Sequence, residues 1–153
     1  MGERALEIRA TGWLALRVGL AFVVLSSAVG AEPSGEVTID LMVSEIGSQP
    51  GKIDPRAEKL HARIKDELSY QSLKVVDARQ LKLEIDEVGK LTLPNGHTLM
   101  VKPILVDERG ALLAVELEPE LKTDLRVRDG QLVVLGPQHH GSTKLVVSLE
   151  PHL

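Results

Sequence analysis

From Ser72 to Leu149 the chain is strand after strand, cut at short intervals by turn-forming residues, and this stretch most limits the possible folds. Leu81, Leu83 and Ile85 alternate with Lys82, Glu84 and Asp86, the period of two of a half-buried strand. Leu73–Val76 precedes them across a bend or bulge at Asp77-Ala78-Arg79. Leu91 and Leu93 form a short strand, and Asn95-Gly96 then supplies a tight hairpin, because both residues tolerate positive φ. The next strand runs from Thr98 to Val106. Pro103 inside it donates no ladder hydrogen bond, which implies an edge, a bulge or a kink. Arg109-Gly110 turns the chain into Ala111–Leu117, and Glu118-Pro119-Glu120 turns it into Leu121–Arg128. Asp129-Gly130 reads as a second hairpin turn. Gln131–Leu135 carries four consecutive apolar residues, the mark of a strand covered on both faces. After the loop Gly136–Gly141, the strand Lys144–Leu149 alternates Leu145, Val147 and Leu149.

Two elements precede this run. In Glu36–Ile46, Val37, Ile39, Leu41 and Val43 fall on one side of a strand. Asp54-Pro55 then opens the one clear helix: Asp accepts from free first-turn N–H groups, and Pro fits the first helical position. Ala57, Leu60, Ile64 and Leu68 make its narrow apolar stripe, which is expected to lie on a sheet. No repeated βαβ unit appears, so a doubly wound parallel fold is excluded. The expected class is α+β: one amphipathic helix packed on a curled, mostly antiparallel β-meander of seven to eight strands. An all-β sandwich with a helical insertion is the alternative.

The N-terminus has the three regions of a secretory signal peptide. Arg4, Arg9 and Arg17 precede the apolar run Val18–Ala28, and the small-residue site Val29-Gly30-Ala31 follows. The charge-free run falls short of the ~20 residues that a spanning helix needs. The expected organisation is a signal peptide over 1–31 and one small domain over 32–153, exported to the periplasm or beyond the cell, with no stable membrane span after cleavage.

Cleavage changes what the remainder can bind. The whole chain carries a formal net charge of −4 and no cysteine. Losing three arginines and only Glu3 and Glu7 makes the remainder more acidic, which disfavours nucleic acid and anionic membranes. Trp13 and Phe22 leave with the segment, so Tyr70 is the only remaining Phe, Trp or Tyr. Glycan faces, single-strand platforms and polyproline grooves rely on aromatic surface and are therefore poor fits. With no thiol, the domain rests on an aliphatic core.

Candidate chemistry sits in the turns. Successive hairpin turns alternate between the two ends of a meander. Asn95-Gly96, Glu118–Glu120 and Gly136–Gly141 should therefore share one rim, with Arg109-Gly110 and Asp129-Gly130 at the other. The first rim would gather His97, Glu118, Glu120, His139 and His140, and imidazoles with carboxylates suit zinc or another transition ion. His97, His139 and His140 are the candidate metal ligands, set against the plainer reading of polar loop residues on a solvated rim. Glu116, Glu118 and Glu120 share a parity, as do Lys122, Asp124, Arg126 and Arg128 on the next strand, so opposite charges would meet across the ladder if those strands pair, a structural account of the charges. No Ser stands in a Gly-x-Ser-x-Gly elbow, and no glycine cluster precedes a helix as a phosphate cradle. No catalytic residue and no cofactor are expected.

The segment Leu125–Leu149, LRVRDGQLVVLGPQHHGSTKLVVSL, resembles a hairpin motif of outer-membrane secretins, roughly D-G-x-x-x-x-L-G-G. Asp129, Gly130 and Gly136 match, and Pro137 stands in place of the second Gly. The chain is far shorter than a secretin channel. IDPRAEKL, LPNG and VDERGALLAVELE are similar to stretches of short, uncharacterised exported bacterial proteins. Both resemblances imply the envelope and neither supplies a functional residue. The resulting expectation is a non-catalytic interaction module of the bacterial envelope, accessory to secretion or surface assembly, that binds a protein partner. The alternative is a small metal-binding or hydrolytic protein using the His/Glu rim.

Overall fold

The structure is a computed structural model that describes residues 35–119 and 121–153. The expected signal peptide and its cleavage point lie outside the described residues. Eight strands form two four-stranded antiparallel sheets rather than one curled meander. The first sheet has the order β2-β1-β8-β7, from Ser72–Glu84, Glu36–Gly47, Thr143–His152 and Val133–His140. The second has the order β3-β4-β5-β6, from Gly89–Thr92, Thr98–Asp107, Gly110–Leu117 and Leu121–Val127. Only this second sheet is a true meander. The α+β expectation therefore gives way to a mostly β architecture with one short helix, α1, Glu58–Ile64.

The correction has a specific cause. Asp129-Gly130 does turn the chain, but not into a hairpin, because β7 pairs with β8 in the first sheet. The Gly130 N–H donates to the Pro151 carbonyl at 2.7 Å, which docks the turn on the end of β8. The first and last strands of the domain, β1 and β8, then sit side by side at the centre of that sheet.

Two cores result. Between the sheets, Val37, Ile39, Leu41 and Val43 of β1 meet Leu99 and Val101 of β4 and Leu113 and Val115 of β5. On the outer side of the first sheet, Leu60 and Ile64 of α1 pack with Ile46, Leu73, Val75 and Val146. The helix starts as the sequence implies: Asp54 accepts from the Arg56 N–H at 2.9 Å, Pro55 opens a 3-10 turn over Pro55–Ala57, and Leu60 and Ile64 face the sheet. The Arg56 guanidinium also grips the Asp54 carboxylate at 2.7 and 3.1 Å, and both sets of bonds hold that carboxyl well below the usual carboxylate range.

Three bulges decide which face each residue serves. β1 keeps its odd residues toward the second sheet throughout. β2 carries one extra residue, Val76, between Val75 (opposite Ser44) and Asp77 (opposite Val43). Leu73 and Val75 therefore face the helix while Leu81 and Leu83 face the other sheet. In β4 the register shifts between Pro103 and Leu105, the irregularity that Pro103 implies. In β7 it shifts between Leu135 and Gln138.

Candidate functional site

At the first rim, the turns after β3, after β5 and within β7 converge, and Gln138 is the residue that joins them. Asn95 Nδ2 donates to Gln138 Oε1 at 3.1 Å. Gln138 Nε2 donates to the Glu118 carbonyl at 3.0 Å, and His97 Nδ1 lies 3.4 Å from Gln138 Oε1. The Thr98 N–H donates to Glu118 Oε2 at 3.2 Å. Turn alternation thus does bring His97 and Glu118 to one rim with β7.

It does not bring the three imidazoles into a ligand set. The bulge at Gly136-Pro137 aligns Gln138 with Leu145, on the inward side of β8, and leaves His139 opposite Lys144, on the outward side. His140 pairs with Thr143 at the hairpin end. Among the described residues, no group of three or more His, Cys, Asp or Glu is arranged to hold a metal ion. Glu120 lies outside the described residues. Sequence reasoning missed Gln138; the signal was Gly136-Pro137, since a proline within a strand marks an edge or a bulge, and a bulge reverses the parity of the residues after it.

The opposite rim gathers the other two turns as expected. A cleft of about 1170 Å³ lies between Arg109-Gly110, Asp129-Gly130, Arg126, Arg128 and Leu153. Asp107 anchors it. The Arg109 N–H donates to Oδ1 at 2.9 Å, and Arg126 donates to both carboxylate oxygens at 3.0 and 3.1 Å. These bonds hold the Asp107 carboxyl below its ordinary value against the opposing effect of burial. Asp107 engages both Arg109 and Arg126 there, and the cleft is open, unlike the enclosed pockets that bury small ligands.

Tyr70 is committed elsewhere. Its hydroxyl lies 2.6 Å from His61 Nδ1, the rings meet edge to face at 5.7 Å, and burial raises its pKa. It thus supports the helix layer.

Strand β6 links the two rims, and among the described residues it is an open edge. Among the described residues four strands end the two sheets; β3 and β7 are short or broken, and β2 is covered over its first part only, leaving residues 77–84 uncovered. β3 has four residues. β7 is broken by its bulge. β2 is kinked at Val76, and residues 52–56 cover its first part: Leu73 exchanges bonds with Lys52 and Asp54, and Val75 donates to Asp54 Oδ2 at 3.3 Å. β6 has seven residues, no proline, and an unbroken register with β5. Its outward groups follow from the ladder. The Glu118 N–H donates to Thr98, so even residues of β5 bond β4 and odd ones bond β6. Leu121, Thr123, Leu125 and Val127 then bond β5, while the backbone groups of Lys122, Asp124 and Arg126 point away from the sheet.

The side chains of those same three residues lie on the outer face of the second sheet. Lys122 is 3.6 Å from Glu116 across the ladder, one opposite-charge pair among those the shared parities allow, and Arg126 reaches Asp107. Among the described residues, no helix is long and apolar enough to cross a membrane. Comparison with protein-family models, with curated proteins and with solved structures found no match to this chain.

Proposed function

We propose that this chain is a non-catalytic interaction module of the bacterial envelope that receives an extended segment of a protein partner on β6, in an accessory role in secretion or surface assembly. The carrying observation is that β6 is regular, proline-free and uncovered by any described residue along its whole length, whereas β2, uncovered over residues 77–84, is kinked at Val76 and covered before it. Natural sheets blunt their edges because an open row of N–H and C=O groups accepts another strand. Main-chain bonds to an added strand give affinity without a pocket, which suits a domain whose rims are polar and whose one described Phe, Trp or Tyr, Tyr70, is held against His61. The signal-like segment Arg4–Ala31 supports the envelope setting.

The test is co-purification of the tagged full chain from fractionated envelope, comparing wild type with Asp124→Pro. Proline at 124 removes an outward N–H and leaves the β5 ladder intact. Capture of a specific protein by wild type, lost in Asp124→Pro with the circular dichroism spectrum unchanged, is the expected result. Capture that survives in a folded Asp124→Pro chain overturns the reading.

A further inference from the structure

We infer that the strand received by β6 is β6 of a second copy of this chain, joined antiparallel about a two-fold axis at Thr123. The inference rests on the reading of β6 as the receiving edge and names its occupant.

The geometry leaves few registers. Only the even residues of β6 offer backbone groups outward, so an antiparallel copy must set even residues opposite even residues. The axis then passes through one residue of β6, and the charges choose which. An axis at Asp124 puts Asp124 opposite itself and Lys122 opposite the partner's Arg126, so every charged pair is repulsive. An axis at Leu125 joins Asp124 to the partner's Arg126 but sets Lys122 against the partner's Arg128. An axis at Thr123 sets Lys122 opposite the partner's Asp124, and by symmetry the same pair forms a second time.

The uncharged positions agree with that choice. Around Thr123, the two threonines face each other, and Leu121 faces the partner's Leu125 twice on the inner side. Leu121, Thr123 and Leu125 are only half-buried, as residues of an edge awaiting a neighbour would be. Opposite charges, paired threonines and paired aliphatic side chains are each favourable cross-strand pairs, whereas like charges directly opposite are not. On the outer face, the row Glu116, Lys122 continues into the partner's Asp124, so signs alternate across the junction. The interface is isologous and closes as a pair, giving one continuous eight-stranded sheet without risk of an open fibre.

Charge exchange tests this directly, by sedimentation velocity on the full chain purified from the envelope fraction. Asp124→Lys places two lysine–lysine pairs at the junction, and Lys122→Asp places two aspartate–aspartate pairs. Each variant alone should weaken self-association by about tenfold, from two attractive pairs made repulsive. Mixed together, the two variants should form a heterodimer near wild-type strength, because each lysine then meets an aspartate. Both positions are exposed, so circular dichroism should show intact folding.

A wild-type chain that stays monomeric, or a mixture that does not recover association, overturns the inference. Asp124→Pro separates the two claims. A monomeric wild type that captures a different protein, with capture lost in Asp124→Pro, refutes self-pairing and leaves the receiving edge standing. A dimer that persists in folded Asp124→Pro refutes both.

Discussion

Ser44→Ala should make this protein more stable, against the usual direction of a change in a buried strand. Ser44 lies on β1 with no solvent exposure, and its side chain points to the helix side of the first sheet. Its cross-strand neighbours are Val75 and Val146, and Met42 and Ile46 flank it on the same face. Among the described residues its Oγ has no hydrogen-bond partner. A buried, unpaired hydroxyl costs about 1–3 kcal/mol in lost hydration. Alanine removes that cost, gives up a few tenths of a kcal/mol in strand preference, and loses the packing of one oxygen, so the net gain is about 1 kcal/mol. For a domain of this size that raises Tm by roughly 3–6 °C. Urea unfolding should show a higher midpoint at unchanged slope, since the surface exposed on unfolding is nearly the same. Ser44→Thr is the control: it keeps the hydroxyl and should bring no comparable gain. A loss of stability in Ser44→Ala of 1 kcal/mol or more, on the order of a lost hydrogen bond, would show that the hydroxyl is satisfied and refute the argument.

Three further outcomes are expected. Leu60→Ala empties a position that is 2 % exposed between α1 and the first sheet, and should cost about 2–4 kcal/mol in equilibrium unfolding. Asp54 and Asp107 are both held below the ordinary carboxylate pKa, so their contribution to stability is present above the unfolded value of 3.8 and is lost as pH falls through the lower folded values. A series of urea midpoints should therefore fall with pH below that value, and Asp54→Asn with Asp107→Asn should flatten this limb; an unchanged slope would refute the assignment. Gln138→Ala removes the side chain joining Asn95 and Glu118 and should destabilise by about 1–2 kcal/mol, read as faster amide exchange in the β3–β4 and β5–β6 turns than elsewhere.

The local signals in this chain were legible and the long-range pairing was not. Hairpins do form at Asn95-Gly96 and Arg109-Gly110, although only the glycines take positive φ and the first loop spans five residues from Leu93 to His97, and Asp54-Pro55 opens the helix. Asp129-Gly130 is the same kind of signal, yet the chain leaves it for another sheet. Nothing local to that dipeptide states whether the following strand returns beside β6 or pairs with β8. That choice belongs to residues far away: β8 docks on β1, which buries both of its faces, and β7 then has a partner there. A trace of this was present. Leu145-Val146-Val147 is a continuous apolar run, and Met42 and Ile46 make the supposedly polar side of β1 apolar as well. Read for period two alone, both strands look half-buried; read for the residues on the second face, both are central strands under a helix. The bulges had the same effect on the rim. Each shifts one face onto the other, so one extra residue at Gly136-Pro137 replaced His139 with Gln138 beside His97.

The open edge shows why charge alone does not protect a strand. Lysines on an edge discourage pairing when every register brings like charges together. β6 carries charges of both signs, at Lys122, Asp124 and Arg126, and so repels a copy of itself in some registers and attracts it in one. Among the described residues β3 is guarded by shortness, β7 by its bulge, and the first part of β2 by residues 52–56, and none of those devices depends on register. β6 uses only side-chain sign. A strand guarded by shape refuses all partners; a strand guarded by sign refuses most and selects the few whose charges alternate to match. Register-dependent selection by side-chain sign is the property that Lys122, Asp124 and Arg126 give the β6 edge.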